Sequence, residues 1–283
     1  MIDTTTVADL FTDWDIPWIV TGELALAALI YTRGWMRIRR TRPELFPAWR
    51  LASFLGGMIA LFVAVASPLD TFSESLLFMH MAQHYVLMSI APPLIVLGAP
   101  VVPMLRGLPR IVIRLLRPLL ISRALSRAGA FLTRPRVAWI AMNAAYIGWH
   151  IPSAYEFALA SENWHNFEHA CFFFTNLMFW WPLIRPWPSR AWSLNALWKL
   201  VPYLLLADIV NTAVSAFLCF SGRLLYPSYG QIARPFGISA LNDQVAAGAF
   251  MWVFGSIVYL VPAVLIVAQL LSFREGTAQS LEA

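Results

Sequence analysis

SLLFMHMAQHYVLMSIAPPLIVLGAP, residues 75–100, is long and apolar enough to cross a bilayer, and it carries His80 and His84 one helical turn apart in its first half. In water such a pair is ordinary. Inside hydrocarbon, ionisable side chains are costly and commonly mark a site. The two prolines further on, Pro92 and Pro93, remove backbone donors and predict a kink or unwinding there.

The rest of the chain has the same character. Of 283 residues, 59% are hydrophobic and 12% charged, and the mean hydropathy is +0.65. Soluble domains carry about 25% charged and about 45–50% apolar residues. The fold class is therefore all-α: a polytopic membrane protein of one domain over residues 1–283. Seven transmembrane helices are predicted, near residues 16–35, 48–67, 75–99, 137–159, 167–184, 198–220 and 244–273. Each must satisfy its own backbone polar groups, and no barrel-like alternation is visible. No internal repeat or low-complexity segment occurs.

Eighteen of the twenty Lys and Arg fall on one side of this arrangement, leaving only Arg223 and Arg234 for the other. The positive-inside rule then places the N-terminus outside and the C-terminus in the cytoplasm. The acids agree, with Asp3, Asp9, Asp13, Asp15, Asp70, Glu74, Glu156 and Glu162 all outside. The acidic opening segment lacks a basic n-region and reads as a retained outer segment rather than a cleaved signal. Residues 100–136 form a basic cytoplasmic loop. In it Arg110, Arg114 and Arg117 at helical spacing predict a helix lying on the anionic leaflet. A net charge of +5 spread between apolar spans points to the lipid bilayer and away from nucleic acid. Trp14, Trp18, Trp35, Trp180, Trp181, Trp187, Trp192, Tyr226 and Tyr229 read as interfacial anchors.

All five histidines land in the outer half. At about 1.5 Å per residue, His80 and His84 lie roughly 8 and 14 Å below the outer surface. His150 belongs to the outer part of the fourth span, and His165 and His169 to the start of the fifth. Both i,i+4 pairs present two rings on one helix face. A lone helical histidine is commonly a hydrogen-bonded structural residue. Five on one side, four of them paired, read as a metal or cofactor site with His80, His84, His150, His165 and His169 as ligands. Imidazole suits copper, zinc or iron. Gln83, Glu168 and Asp243 are candidate supporting groups or additional ligands. Met79, Met81, Met251 and Cys171 could offer sulfur to Cu(I), although methionines in apolar helices usually pack. Glu23 is a further outer candidate. Haem is less well matched, because two histidines on one helix face cannot sandwich a macrocycle, though His80 with His169 could. Cys171 and Cys219, both at outer ends, could pair. Asp208 and Asn211 are membrane-buried polar residues, the former a possible proton-coupled transport site or, with Asn143 or Asn176, part of a polar helix contact.

Five blocks resemble the multi-span CtaG-like assembly proteins associated with caa-type cytochrome c oxidase. They are HMAQH (80–84), APPLIVLGAP (91–100), GWHIPSAYEFAL (148–159), WHNFEHACFFFTNLMFWWPL (164–183) and DQVAAGAFMW (243–252). The resemblance implies a bacterial inner-membrane factor that matures a haem–copper oxidase by handling copper. Its partners would be an oxidase subunit and a periplasmic copper carrier. Such a metallochaperone works by binding and release rather than turnover. Two rival readings remain from the residues themselves: an intramembrane zinc hydrolase, with Glu168 or Asp243 as base, and a haem-bearing redox subunit.

Overall fold

The computed structural model describes residues 16–186, 193–231 and 237–282; residues 194–195 and 273–282 are described as backbone alone. Asp3, Asp9, Asp13, Asp15, Trp14, Trp187, Trp192, Arg190 and Arg234 lie outside the described residues. Every described element is helical: α1 (Trp18–Arg39), α2 (Ala48–Ala66), α3 (Pro68–Ser75), α4 (Leu77–Tyr85), α5 (Ala91–Leu97), α6 (Val101–Gly107), α7 (Arg110–Leu120), α8 (Arg123–Leu132), α9 (Pro135–His150), α10 (Pro152–Leu159), α11 (Glu162–Ile184), α12 (Leu194–Leu197), α13 (Leu200–Phe220) and α14 (Ala240–Glu282). A π-helical turn, Val86–Ile90, joins α4 to α5, and a 3-10 turn, Pro227–Gly230, follows α13.

Among the described residues, α2, α13 and the Ala240–Ser272 part of α14 are long and apolar enough to cross a membrane. A fourth span exists if Leu77–Leu97 and Val101–Gly107, bent by 68°, count as one. The other expected crossings are helical but interrupted or more polar.

The interruptions follow from proline. In a continuous helix the Met88 carbonyl would accept from residue 92, and Pro92 has no N–H. The chain widens into the π turn, and the Trp180 indole donates to Met88 O at 3.4 Å instead. The span expected over 137–159 is in fact broken. Pro152 cannot donate to Gly148 and disfavours helical backbone at the residue before it, so Ile151 is extended (φ −64°, ψ 127°). His150 thereby ends α9, and its carbonyl accepts from the Tyr226 hydroxyl at 2.9 Å.

Two buried clusters organise the packing. The larger joins α4, α9, α11, α13 and α14 around Met81, Tyr85, Met142, Phe172, Phe179, Leu204 and Met251. The smaller joins α1, α2 and α5 around Tyr31, Trp35, Phe54, Met58 and Ile95. Here α1 and α6 touch backbone to backbone: a Cβ on Gly34 would sit 1.8 Å from Pro103 O, and one on Gly107 the same distance from Ile30 O.

The expected aromatic anchors divide. Trp18 is 78% exposed, whereas Trp35, Trp180, Tyr226 and Tyr229 are buried and hydrogen-bonded inside the protein. Burial won because each polar tip found a carbonyl within the protein.

Candidate metal centre

Helix α4 starts where it does because Asp243, at the head of α14, caps it from another part of the chain. Its carboxylate accepts from Leu77 N at 2.7 Å and Phe78 N at 3.1 Å. These are orphan donors of a first helical turn, and a carboxylate there also suits the helix dipole. One turn on, His80 and His84 point the same way, with ring centroids 4.4 Å apart. Helix α11 begins at Glu162, earlier than expected, so His165 is helical and its ring packs, tilted by 55°, against that of His169 at 4.2 Å between centroids.

The two pairs face each other. His80 and His165 approach to 3.2 Å between Nε2 atoms, and the His84 and His169 rings lie 5.2 Å apart. One ligand nitrogen from each of the four lies within 4.8 Å of every other. Two nitrogens held about 2.0–2.1 Å from one tetrahedral ion are about 3.3 Å apart. The His80–His165 separation fits, and the others, at no more than 4.8 Å, need to close by at most about 1.5 Å.

The surroundings settle which nitrogens are free. Tyr229 commits its hydroxyl hydrogen to Ser73 O at 2.8 Å, so its oxygen can only accept from His80 Nδ1, 2.6 Å away. The Tyr155 hydroxyl lies 2.9 Å from the same nitrogen. His80 is thus the Nδ1–H tautomer by its hydrogen bonding, and its Nε2 lone pair faces His165. Neither nitrogen of His84 has a hydrogen-bond partner, nor has His169 Nε2, although these atoms are buried. Buried polar atoms are nearly always satisfied, so this concentration of unpartnered nitrogens fits a metal-ligand set.

The fifth histidine stands beside the four. His150 donates from Nδ1 to Tyr146 O at 2.7 Å, leaves Nε2 unpartnered, and lies 6.3 Å from His84 between ring centroids. Glu168 is fully buried; one carboxylate oxygen is 4.0 Å from His84 Nε2 and neither has a hydrogen-bond partner.

Several of the remaining candidates have partners elsewhere. Gln83 donates to Ala64 O and Asp70, bracing α4 against α2 and α3. Asp243 is the cap described above. Met81 and Met251 fill the larger core, and Met79 is half-buried. Glu23 is exposed on α1, and Cys171 and Cys219 are free thiols. Asn211 accepts from Tyr85 at 2.5 Å and Tyr146 at 3.0 Å, while Asn143 and Asn176 each donate to a carbonyl of their own helix. Asp208 is half-buried and accepts from Ser256 at 2.9 Å.

Sequence reasoning missed Tyr155 and Tyr229. The loop carrying Tyr226 and Tyr229 is pinned by Gln244, whose amide oxygen accepts from Leu225 N at 2.7 Å, and by Glu156, which accepts from Ser228. The only signal for Tyr155 was its place in the block after His150.

Among the described residues, fold and site together define a helical protein with several apolar helices, built around a largely buried four-histidine cluster. The chain belongs to the cytochrome c oxidase caa3 assembly factor family, whose description matches residues 29–272. It is 26% identical to uncharacterized proteins of Mycobacterium bovis, Mycobacterium tuberculosis and Mycobacterium leprae, over 93% of this chain. The chain spans 40% of the length of these curated relatives. No solved structure matches it.

Proposed function

We propose that the chain holds copper in a shielded outer pocket formed by His80, His84, His165 and His169, and passes it by ligand exchange to a subunit of a haem–copper oxidase. The observation that carries this reading is the set of four imidazole nitrogens within 4.8 Å of one another. All-nitrogen sites take first-row metals, and Cu(II) heads their affinity order. His165 is half-buried while the other three are buried, so the cluster has one side from which cargo can enter and leave. His150, whose Nε2 has no partner and whose ring lies 6.3 Å from that of His84, is where a departing or arriving ion would find its next donor.

The membrane placement in this reading is seven-span, in a bacterial inner membrane, with the N-terminus outside. The rods α1, α2, α4 to α5, α9 with α10, α11, α13 and α14 supply seven candidate crossings. The histidine cluster and the arginine-rich turns after α1 and α6 lie at opposite ends of their helices, which supports the orientation. A periplasmic carrier is the matching copper source.

The test replaces the gene by one encoding His80→Ala/His84→Ala. Membranes should then contain oxidase polypeptide but copper-deficient oxidase. Normal copper per oxidase would overturn the proposal.

Glu168 favours a second reading, a zinc hydrolase with a buried carboxylate beside the metal. Glu168→Gln separates the two. Copper carriage keeps oxidase maturation; hydrolysis loses it while metal stays bound. For haem, four imidazoles crowding one volume give poor room for a macrocycle, and an absorption spectrum of the purified chain tests that directly.

Tyr229→Phe removes the acceptor that fixes the His80 tautomer. Loss of such a supporting hydrogen bond lowers metal affinity by about 10–100-fold. Competition titration against a chelator should show this drop, with the helical spectrum unchanged.

A further inference from the structure

At the end of α1 remote from the histidines, two adjoining clefts open between α1, α6 and α7. The larger, about 800 Å³, is lined by Arg33, Arg37, Arg106 and Arg110 together with Leu105, Leu108, Pro109 and Ile113. The smaller, about 250 Å³, shares Arg37 and Arg106 and adds Arg42. The glycine contacts at Gly34 and Gly107 force this gathering, because they bring the arginine-bearing turns of α1 and α6 to backbone distance. Arg37 also donates to Arg106 O at 2.6 Å, which holds the corner together without neutralising it. Among the described residues, no carboxylate forms an ion pair with any of these five arginines.

Five guanidinium groups over two connected clefts exceed what one phosphate monoanion would neutralise. Arginine binds phosphate through paired N–H groups, so the corner matches an anion with two phosphates. The apolar lining continues onto α7, which buries no side chain and exposes Ile111 (66%) and Leu115 (73%). A soluble polyphosphate has no use for that apron, whereas acyl chains do. We infer that this corner is a binding site for the headgroup of a diphosphate phospholipid, with the acyl chains lying along the apolar face of α7. Basic pockets between helices on the cytoplasmic side take such headgroups. The inference is independent of the metal centre.

The test is native mass spectrometry of the full chain in detergent with cardiolipin, phosphatidylglycerol or phosphatidylcholine, and separately with pyrophosphate. One retained cardiolipin per chain is expected, preferred at least about tenfold over phosphatidylcholine. Arg33→Gln/Arg110→Gln should weaken it about tenfold to thirtyfold. Arg123→Gln/Arg127→Gln on α8, with the same charge change outside the clefts, should leave it intact. Equal loss in both variants would mean diffuse attraction and would overturn the site. So would equal retention of all three lipids, unchanged binding by the cleft variant, or pyrophosphate binding without cardiolipin retention.

Discussion

Replacing His80 and His84 together by alanine is expected to lower the copper affinity of the purified chain at least about a thousandfold, or about 4 kcal/mol at 1.4 kcal/mol per decade. The two residues are half of the donor set, and their loss leaves one helix with one i,i+4 pair that cannot enclose an ion. Full four-ligand sites supply about 10–16 kcal/mol in apparent binding energy, so a loss of this size is well within range. Elemental analysis after dialysis reads it as copper near one per chain in the wild type and near zero in the variant. A companion measurement separates binding from folding. His84 leaves both nitrogens buried without partners, each at a cost of about 1–3 kcal/mol while no ion is bound. His84→Leu keeps similar volume without that cost. Its metal-free melting temperature should therefore match or exceed the wild type, while the rise on adding copper disappears. A variant that melts lower without metal and still rises with it contradicts the account.

Gly107→Val should be strongly destabilising, as should the matching change at Gly34. The new Cβ would lie 1.8 Å from Ile30 O and 2.7 Å from Ile30 C, backbone atoms that no side-chain rotation can move. Relief requires α1 and α6 to separate. That exposes the cluster around Tyr31, which stacks on Phe54 at 3.8 Å and donates to Gly98 O at 2.7 Å. Overpacking typically costs about 1–3 kcal/mol, and the upper end or beyond is expected because both atoms are main chain. Gly148→Ala is the internal control. It lies in α9 with nothing within 4 Å of the added atom, and should be neutral or gain about 0.5–1 kcal/mol. Thermal unfolding in one detergent, followed by circular dichroism, compares all three proteins.

The sequence carried the helical class and the histidine cluster further than it carried the connections between helices. Depth counting along rods of known rise put all five histidines in the outer half, and the i,i+4 pairs fixed which faces carry rings. That reasoning reached the four that meet and also His150, which stands beside them with its ring 6.3 Å from that of His84. The break was legible in Ile151–Pro152, since the residue before a proline leaves the helical region. The cap that Asp243 provides to α4 was not. It joins residues 165 and 166 positions apart, and no local pattern records such a pairing. The tyrosines were misread for a related reason. Tyrosine near a span end ordinarily faces the interface, and only the folded loop shows that Tyr229 turns inward to His80. Polar networks of this kind are set by tertiary geometry, where one residue's satisfied hydrogen bond decides its neighbour's tautomer.

In the proposed site, imidazoles from two helices grip one ion. X-ray absorption at the copper edge of the metal-loaded, full-length chain tests it most directly. Three or four nitrogen scatterers at about 2.0–2.1 Å are expected, with the outer-shell pattern of imidazole. Sulfur at about 2.3 Å, or fewer than two imidazoles per copper, would contradict it.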